Sequence, residues 1–167
     1  MSTGVERGVE RLRLLRAKAV AYKGAPFMHH APEIPAYLTS RFTLQVRFCE
    51  TDLMGIVHHA NYLAYFEAGR VDWLHRRGLS YDFWVKQGIH LPVVETRLRY
   101  RKAARFDDVL VVETWVAEVT RAKVQFDAAI RRGLETLVSG SVWLACVAMP
   151  EGRIVSIPAS VRAATGT

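Results

Sequence analysis

Apolar residues recur at every second position in the first strand-like stretch of this chain, and soon after it the period changes. In "RFTLQVRF", Phe42, Leu44, Val46 and Phe48 alternate with Thr43, Gln45 and Arg47, the pattern of a strand with one face buried. From Asn61 the period becomes helical. Tyr62, Tyr65, Phe66, Gly69 and Trp73 fall on one stripe, and Gly78 supplies a stop. A short helix or irregular connection follows in "SYDFWVKQG". Strand-like runs then return in "LPVVETRLRY", "VLVVETWVAEV", "KVQFDAAIRR" and "TLVSGSVWLACVAM", and Pro158 stands near the start of a short terminal helix in "IPASVRAA". One strand, one long helix and four consecutive strands predict an antiparallel sheet with the helix packed across one face, a two-layer α+β domain. Glycine in mid-helix costs roughly 1 kcal/mol against Ala. On the buried stripe, Gly69 predicts close approach to a neighbouring element.

The front of the chain reads differently. Residues 5–22 have a helical stripe in Leu12, Leu15, Ala19 and Tyr22, and "GAPFMHHAPEIP" with Pro26, Pro32 and Pro35 reads as a linker. Residues 1–36 are therefore taken as an appendage and 37–167 as the domain. The formal charge of the 167 residues is +7. The first 24 residues hold six Lys/Arg and two Glu, which is +4 of that total and leaves a body at +3. A basic tail on a nearly balanced body predicts at most a weak membrane-surface contact through this helix, and no nucleic acid partner. There is no apolar run of about 18 residues and no secretory signal pattern. Two cysteines, Cys49 and Cys146, both in strand-like stretches, make no disulfide framework. A cytoplasmic location is expected.

"ETDLMGIVHHANY", residues 50–62, carries the chemistry. Histidines occur at 29, 30, 58, 59, 75 and 90, none in the helical spacing of a zinc hydrolase, and no cysteine pair has ligand spacing; no metal is expected. Cys49 has no helix N-terminus to stabilise a thiolate. The carboxylate of Asp52 lies in a turn before a helix that begins around His59 to Asn61. Free N–H groups and the positive end of the helix dipole suit a developing oxyanion, and a carboxylate beside them can serve as general base or nucleophile. Thioester hydrolysis needs little more. The plainer reading of Asp52, as a turn former or helix cap, remains open from these residues alone.

"ETDLMGIVHHANYLAYFEAGRVDWL" resembles the signature of hot-dog-fold acyl-CoA thioesterases of the hydroxybenzoyl-CoA thioesterase group, and is similar to the branch containing the bacterial Tol-Pal-associated acyl-CoA thioesterase. The matching elements are Thr51-Asp52, Gly55-Ile56-Val57, His59-Ala60-Asn61-Tyr62 and Phe66-Glu67, and the resemblance continues through "YRKAARFDDVLVVET" and "VWLACV" to about Pro158. It implies a hot-dog fold, a curved antiparallel sheet wrapped around one long central helix. It also implies a homodimer, commonly paired into a homotetramer, with active sites at subunit interfaces. The family's catalytic Asp falls on Asp52, its carbonyl-polarising backbone N–H on His59, and Gly55 keeps the loop close to the substrate.

His58, Asn61 and Tyr62 are implied in substrate binding. Glu67, on the helix but off its buried stripe, is included with them, although a structural or interface role suits its position better. Arg121 and Lys123 match a basic turn that contacts coenzyme A phosphates in relatives; Arg99, Arg101, Lys102 and Arg105 form a second basic cluster, from which Arg99 and Arg101 are taken as phosphate contacts. The expected substrate is a small or medium acyl- or aroyl-CoA, hydrolysed to the free acid and coenzyme A, with no cofactor beyond the coenzyme A that the substrate carries. The sequence departs from the family pattern in its front extension and at Ala103, where many relatives have Pro. A non-catalytic acyl-CoA or acyl-carrier-protein binding protein is the alternative.

Overall fold

The computed structural model describes residues 38–165; the helix expected at 5–22, the linker after it and the boundary at 36 lie outside the described residues. The elements are β1 (Ser40–Gln45), α1 (Asn61–His75), α2 (Tyr81–Lys86), β2 (Ile89–His90), β3 (Val93–Tyr100), β4 (Val109–Val119), β5 (Lys123–Arg132), β6 (Glu135–Ala145), β7 (Val147–Ala148), β8 (Arg153–Ile154) and α3 (Ala159–Ala164). Five strands form one antiparallel sheet in the order β1-β4-β5-β6-β3. A second, three-stranded sheet, β2-β7-β8, stands beside it.

Two strands are shorter than their sequence patterns predict, for the same reason. Strand β1 ends where its partner begins, at the pair Gln45–Val109. The chain then turns through a short 3₁₀ helix, Phe48–Glu50. Phe48, expected on the buried face of a strand, is 76% exposed, and Cys49, expected in a strand-like stretch, is exposed in this turn. The last run, "TLVSGSVWLACVAM", is not one strand. Its pairing with β5 ends at Ala145–Lys123, the first residue of β5. The Cys146 N–H turns to the Ala122 carbonyl at 2.8 Å, and Val147–Ala148 continue into the small sheet against Ile89–His90.

The stripe of α1 is buried as its spacing predicts: Tyr62, Tyr65, Phe66, Gly69, Trp73 and Leu74 all face the sheet. They meet Leu110, Val112, Val124, Phe126 and Ile130 in the core. Trp73 is edge-on to Phe126 with ring centres 5.4 Å apart. Burying one such large side chain is worth about 1.5–3 kcal/mol. Gly69 sets how closely α1 approaches β4. A Cβ there would stand 2.5 Å from Thr114 Oγ1 and 2.7 Å from Val112 Cγ1. The helix ends after His75, where Leu79 N–H bonds back to Leu74 O and Gly78 N–H to His75 O, both at 3.0 Å.

Candidate active site

The loop between β1 and α1 hangs on Glu50. The 3₁₀ turn breaks the strand alternation and swings this carboxylate inward, leaving the residue only 6% exposed. Its Oε2 accepts the Arg47 backbone N–H at 2.8 Å and the Tyr65 hydroxyl at 2.7 Å; its Oε1 accepts Arg47 Nη2 at 2.7 Å. Its backbone carbonyl accepts the His58 N–H at 2.9 Å and Asn61 Nδ2 at 2.7 Å. One residue therefore ties the chain just after β1, the start of α1 and its second turn together. Burial is the largest single influence on the Glu50 carboxyl and opposes ionisation. The Arg47 backbone N–H, the Arg47 guanidinium and the Tyr65 hydroxyl together outweigh it and hold the group below its ordinary value of 4.5. Burial, and then the Glu50 carboxylate, pushes the Tyr65 phenol far above its ordinary range.

Stability follows from that direction. The folded state binds the Glu50 proton more weakly than the unfolded chain does. Its contribution is therefore present above pH 4.5 and is lost as pH falls below that value. Glu50→Gln is expected to be less stable than wild type at pH 7 and to lose less further stability on acidification, read as urea midpoints from pH 7 to pH 3. Parallel acid limbs for the two proteins would show that Glu50 is not the linked group.

Asp52 opens a small loop closed by the antiparallel bridge Thr51–Val57. Its N–H bonds to Ile56 O and its carbonyl accepts the Gly55 N–H, both at 2.9 Å. Its side-chain Oδ1 accepts the Met54 N–H at 2.8 Å, an Asx turn. Gly55 takes φ +68°, the left-handed region that favours glycine. Asp52 is half-buried, whereas Leu53 and Met54 at the tip are exposed. Asp52 thus does form the turn; its second oxygen, Oδ2, makes no hydrogen bond among the described residues.

The start of α1 carries no side-chain cap. Asn61 N–H bonds to His58 O at 2.9 Å, and Ala60 N–H makes a longer contact with His58 Nδ1 at 3.3 Å. The His59 N–H has no hydrogen-bond partner among the described residues. The His58 and His59 rings lie 4.1 Å apart, both exposed. The segment after β3 backs the loop. Val57 N–H bonds to Ala104 O at 2.8 Å, Ala104 N–H to the Tyr62 hydroxyl at 3.0 Å, and the Tyr100 hydroxyl donates to His59 O at 3.1 Å.

The structure thus gathers Asp52, Gly55, His58, His59, Asn61 and Tyr62 around one loop. Tyr62 is buried there, with its hydroxyl engaged, and Glu67 is exposed on α1, off the buried stripe. Arg99 and Arg101 are exposed at the end of β3 nearest the loop. Arg121 and Lys123 are not near it. They form the β4–β5 turn, at the far end of the sheet from the Gln45–Val109 pair. The ten residues of β5 put about 30 Å between the two ends. A separate groove of about 520 Å³, lined by Arg41, Val111, Glu113, Arg131, Gly133 and Leu134, contains none of these residues, and its two arginines are paired with Glu113.

Glu50, Tyr65 and Tyr100 bond within or to this loop without having been singled out as site residues in the sequence. One signal was available: Tyr65 lies on the buried stripe, and a buried phenol needs a partner. Among the described residues, no group of three or more His, Cys, Asp or Glu is placed to hold a metal ion, and no helix is long and apolar enough to cross a membrane.

Known proteins resemble this chain over the same region. The family model described as the thioesterase-like superfamily matches residues 46–165. The Haemophilus influenzae protein named acyl-CoA thioesterase YbgC is 34% identical over 124 residues, covering 74% of this chain and 91% of that protein. The Bacillus subtilis protein named putative acyl-CoA thioesterase YneP is 37% identical over 87 residues; the match spans 52% of this chain and 63% of that protein's length. The crystal structure of the hypothetical protein TT1821 from Thermus thermophilus superimposes with a TM-score of 0.71 at 37% identity, over 76% of this chain and 97% of that one.

Proposed function

The chain belongs to the thioesterase-like superfamily, and on that premise we propose that it is an acyl-CoA thioesterase in which Asp52 and the start of α1 act on the same thioester. Hydrolysis consumes water and gives a free acid and coenzyme A. As general base, Asp52 takes a proton from water while the resulting hydroxide adds to the thioester carbonyl carbon. The carbonyl oxygen becomes an oxyanion beside the His59 N–H, where the amide and the helix dipole stabilise it. Collapse of this intermediate breaks the C–S bond, and the thiolate leaves to be protonated. As nucleophile, Asp52 would instead form a mixed anhydride that water then cleaves.

The observation that carries this reading is the common anchor. Asp52 stands two residues after Glu50, and the turn bearing the unbonded His59 N–H is bound to the carbonyl of that same Glu50. A carboxylate and a free amide donor are thereby held in one fixed loop. Such preorganisation is what oxyanion stabilisation requires.

The protein works as a cytoplasmic homodimer, paired further into a tetramer, and needs no cofactor beyond the coenzyme A of its substrate. Strand β3 is an edge of the sheet and supports pairing with a second copy. Assembly also bears on the phosphate contacts. With Arg121 and Lys123 at the far end of the sheet from Asp52, they serve the site of the neighbouring protomer, while Arg99 and Arg101 serve their own. Replacing either pair by Ala is expected to raise KM for an acyl-CoA about 3- to 10-fold and to leave KM for the matching acyl-pantetheine, which lacks the nucleotide phosphates, unchanged. Equal effects on both substrates would remove the phosphate assignment. The function itself is tested by thiol release from benzoyl-, isobutyryl- and palmitoyl-CoA; tight binding of intact thioester without release would point to a binding protein instead.

A further inference from the structure

The His59 N–H lies in the His58–His59 peptide plane, and how firmly it is held depends on the peptides on both sides of the His59 Cα. The plane before it, between His58 and His59, is held by the Asn61 N–H on His58 O at 2.9 Å. The plane after it, between His59 and Ala60, has the long 3.3 Å contact from Ala60 N–H to His58 Nδ1, and one shorter bond, 3.1 Å, from the Tyr100 hydroxyl to His59 O. Tyr100 is the last residue of β3, the strand at the opposite edge of the sheet from β1. Its ring is set independently of that bond, edge-on to buried Tyr62 with centres 5.6 Å apart and planes at 72°. The Tyr62 hydroxyl is fixed in turn by the Ala104 N–H. Tyr100 is 49% exposed in the single chain.

Resting on the function proposed above, we propose that Tyr100 is a positioning residue for the thioester carbonyl. The Asn61 bond sets the direction of the His59 N–H, and the Tyr100 hydroxyl holds the His59–Ala60 peptide on the other side of the Cα, which keeps that amide in place beside the oxygen where negative charge develops. The Tyr100 bond contributes more in the transition state than in the bound substrate, because a displaced donor loses most where charge is greatest. Removing the hydroxyl therefore acts on kcat. It leaves substrate affinity nearly untouched, since the ring packing on Tyr62 survives. The arrangement also makes the geometry of an edge strand part of the catalytic loop.

The test compares wild type, Tyr100→Phe, Tyr100→Leu and Asp52→Asn on the acyl-CoA that wild type cleaves fastest. Tyr100→Phe is expected to lower kcat about tenfold, the size of one lost neutral hydrogen bond, with KM within twofold of wild type. Tyr100→Leu also loses the ring packing and is expected to lower thermal stability as well. A second readout separates positioning from folding. Asp52→Asn should hold the intact thioester, so the carbonyl stretch of the bound ligand can be measured by Raman difference spectroscopy. It is expected at lower frequency than in free ligand, and to move back toward the free value in the Asp52→Asn, Tyr100→Phe double variant. Unchanged kcat in Tyr100→Phe, or an unmoved carbonyl band in the double variant, overturns the inference. Full activity in Asp52→Asn would instead strike at the proposed function and remove the inference with it.

Discussion

Asp52→Asn is expected to lower kcat for acyl-CoA hydrolysis by about 10²–10⁴-fold, the usual contribution of a positioned general base, without disturbing the fold. The substitution separates the turn bond that the structure shows for this residue from the catalytic role proposed for it. Its Oδ1 accepts the Met54 N–H at 2.8 Å, and an Asn side chain offers the same carbonyl oxygen to the same donor. What Asn lacks is the negative charge that takes a proton or attacks a carbonyl. Thermal stability should therefore match wild type to within about 0.5 kcal/mol. Asp52→Ala removes the acceptor as well, and should lose both activity and about 0.5–1.5 kcal/mol of stability. Active Asp52→Asn alongside destabilised Asp52→Ala would leave Asp52 as a turn former only. Paired steady-state kinetics and thermal melts of the two variants read this directly.

Gly69→Ala is expected to destabilise the protein, against the general preference of helices for alanine. In an exposed helix the change would gain about 1 kcal/mol. Here the new methyl group would stand 2.5 Å from Thr114 Oγ1 and 2.7 Å from Val112 Cγ1, and both residues are almost wholly buried. Overpacking of this kind costs about 1–3 kcal/mol, which for a chain of this size lowers Tm by about 2–4 °C per kcal/mol. Relief should come from Thr114→Ala. Thr114 Oγ1 is buried with no hydrogen-bond partner among the described residues, so deleting it orphans nothing. The double variant should melt above Gly69→Ala alone. A Gly69→Ala protein at or above wild-type Tm would show that α1 does not press on β4 as closely as described. The clash should also reach the site, because α1 carries Tyr65, the hydroxyl that grips Glu50.

Most of the framework was legible because it rests on periodicity. The α1 stripe from Tyr62 to Trp73 named its own buried face, and Gly69 marked where helix and sheet come closest. The short terminal helix follows Pro158 as expected. The failures lie where pairing, not pattern, decides. "RFTLQVRF" alternates through Phe48, yet β1 stops at Gln45 because β4 begins opposite it at Val109. Beyond that point a 3₁₀ turn reverses the parity, sending Phe48 out and Glu50 in. No local signal in "FCETD" separates a buried anchor from a solvated acid. Tyr100 is similar: its place at the end of β3 was readable, but its bond to His59 joins residues 41 positions apart. The same holds for the basic turns. Arg99 and Arg121 look equivalent in the sequence, and only the strand register separates them by the length of the sheet.

In the proposed reaction, hydrolysis of a thioester by this loop requires the Asp52 carboxylate. The most direct test is the release of free thiol from benzoyl-, isobutyryl- and palmitoyl-CoA, followed side by side for the full chain and its Asp52→Asn variant. Wild type is expected to release thiol catalytically from at least one of the three, and the variant to do so at least about 100-fold more slowly on that substrate. Equal rates from the two proteins, or no release by wild type from any thioester that it binds, would contradict the proposed reaction.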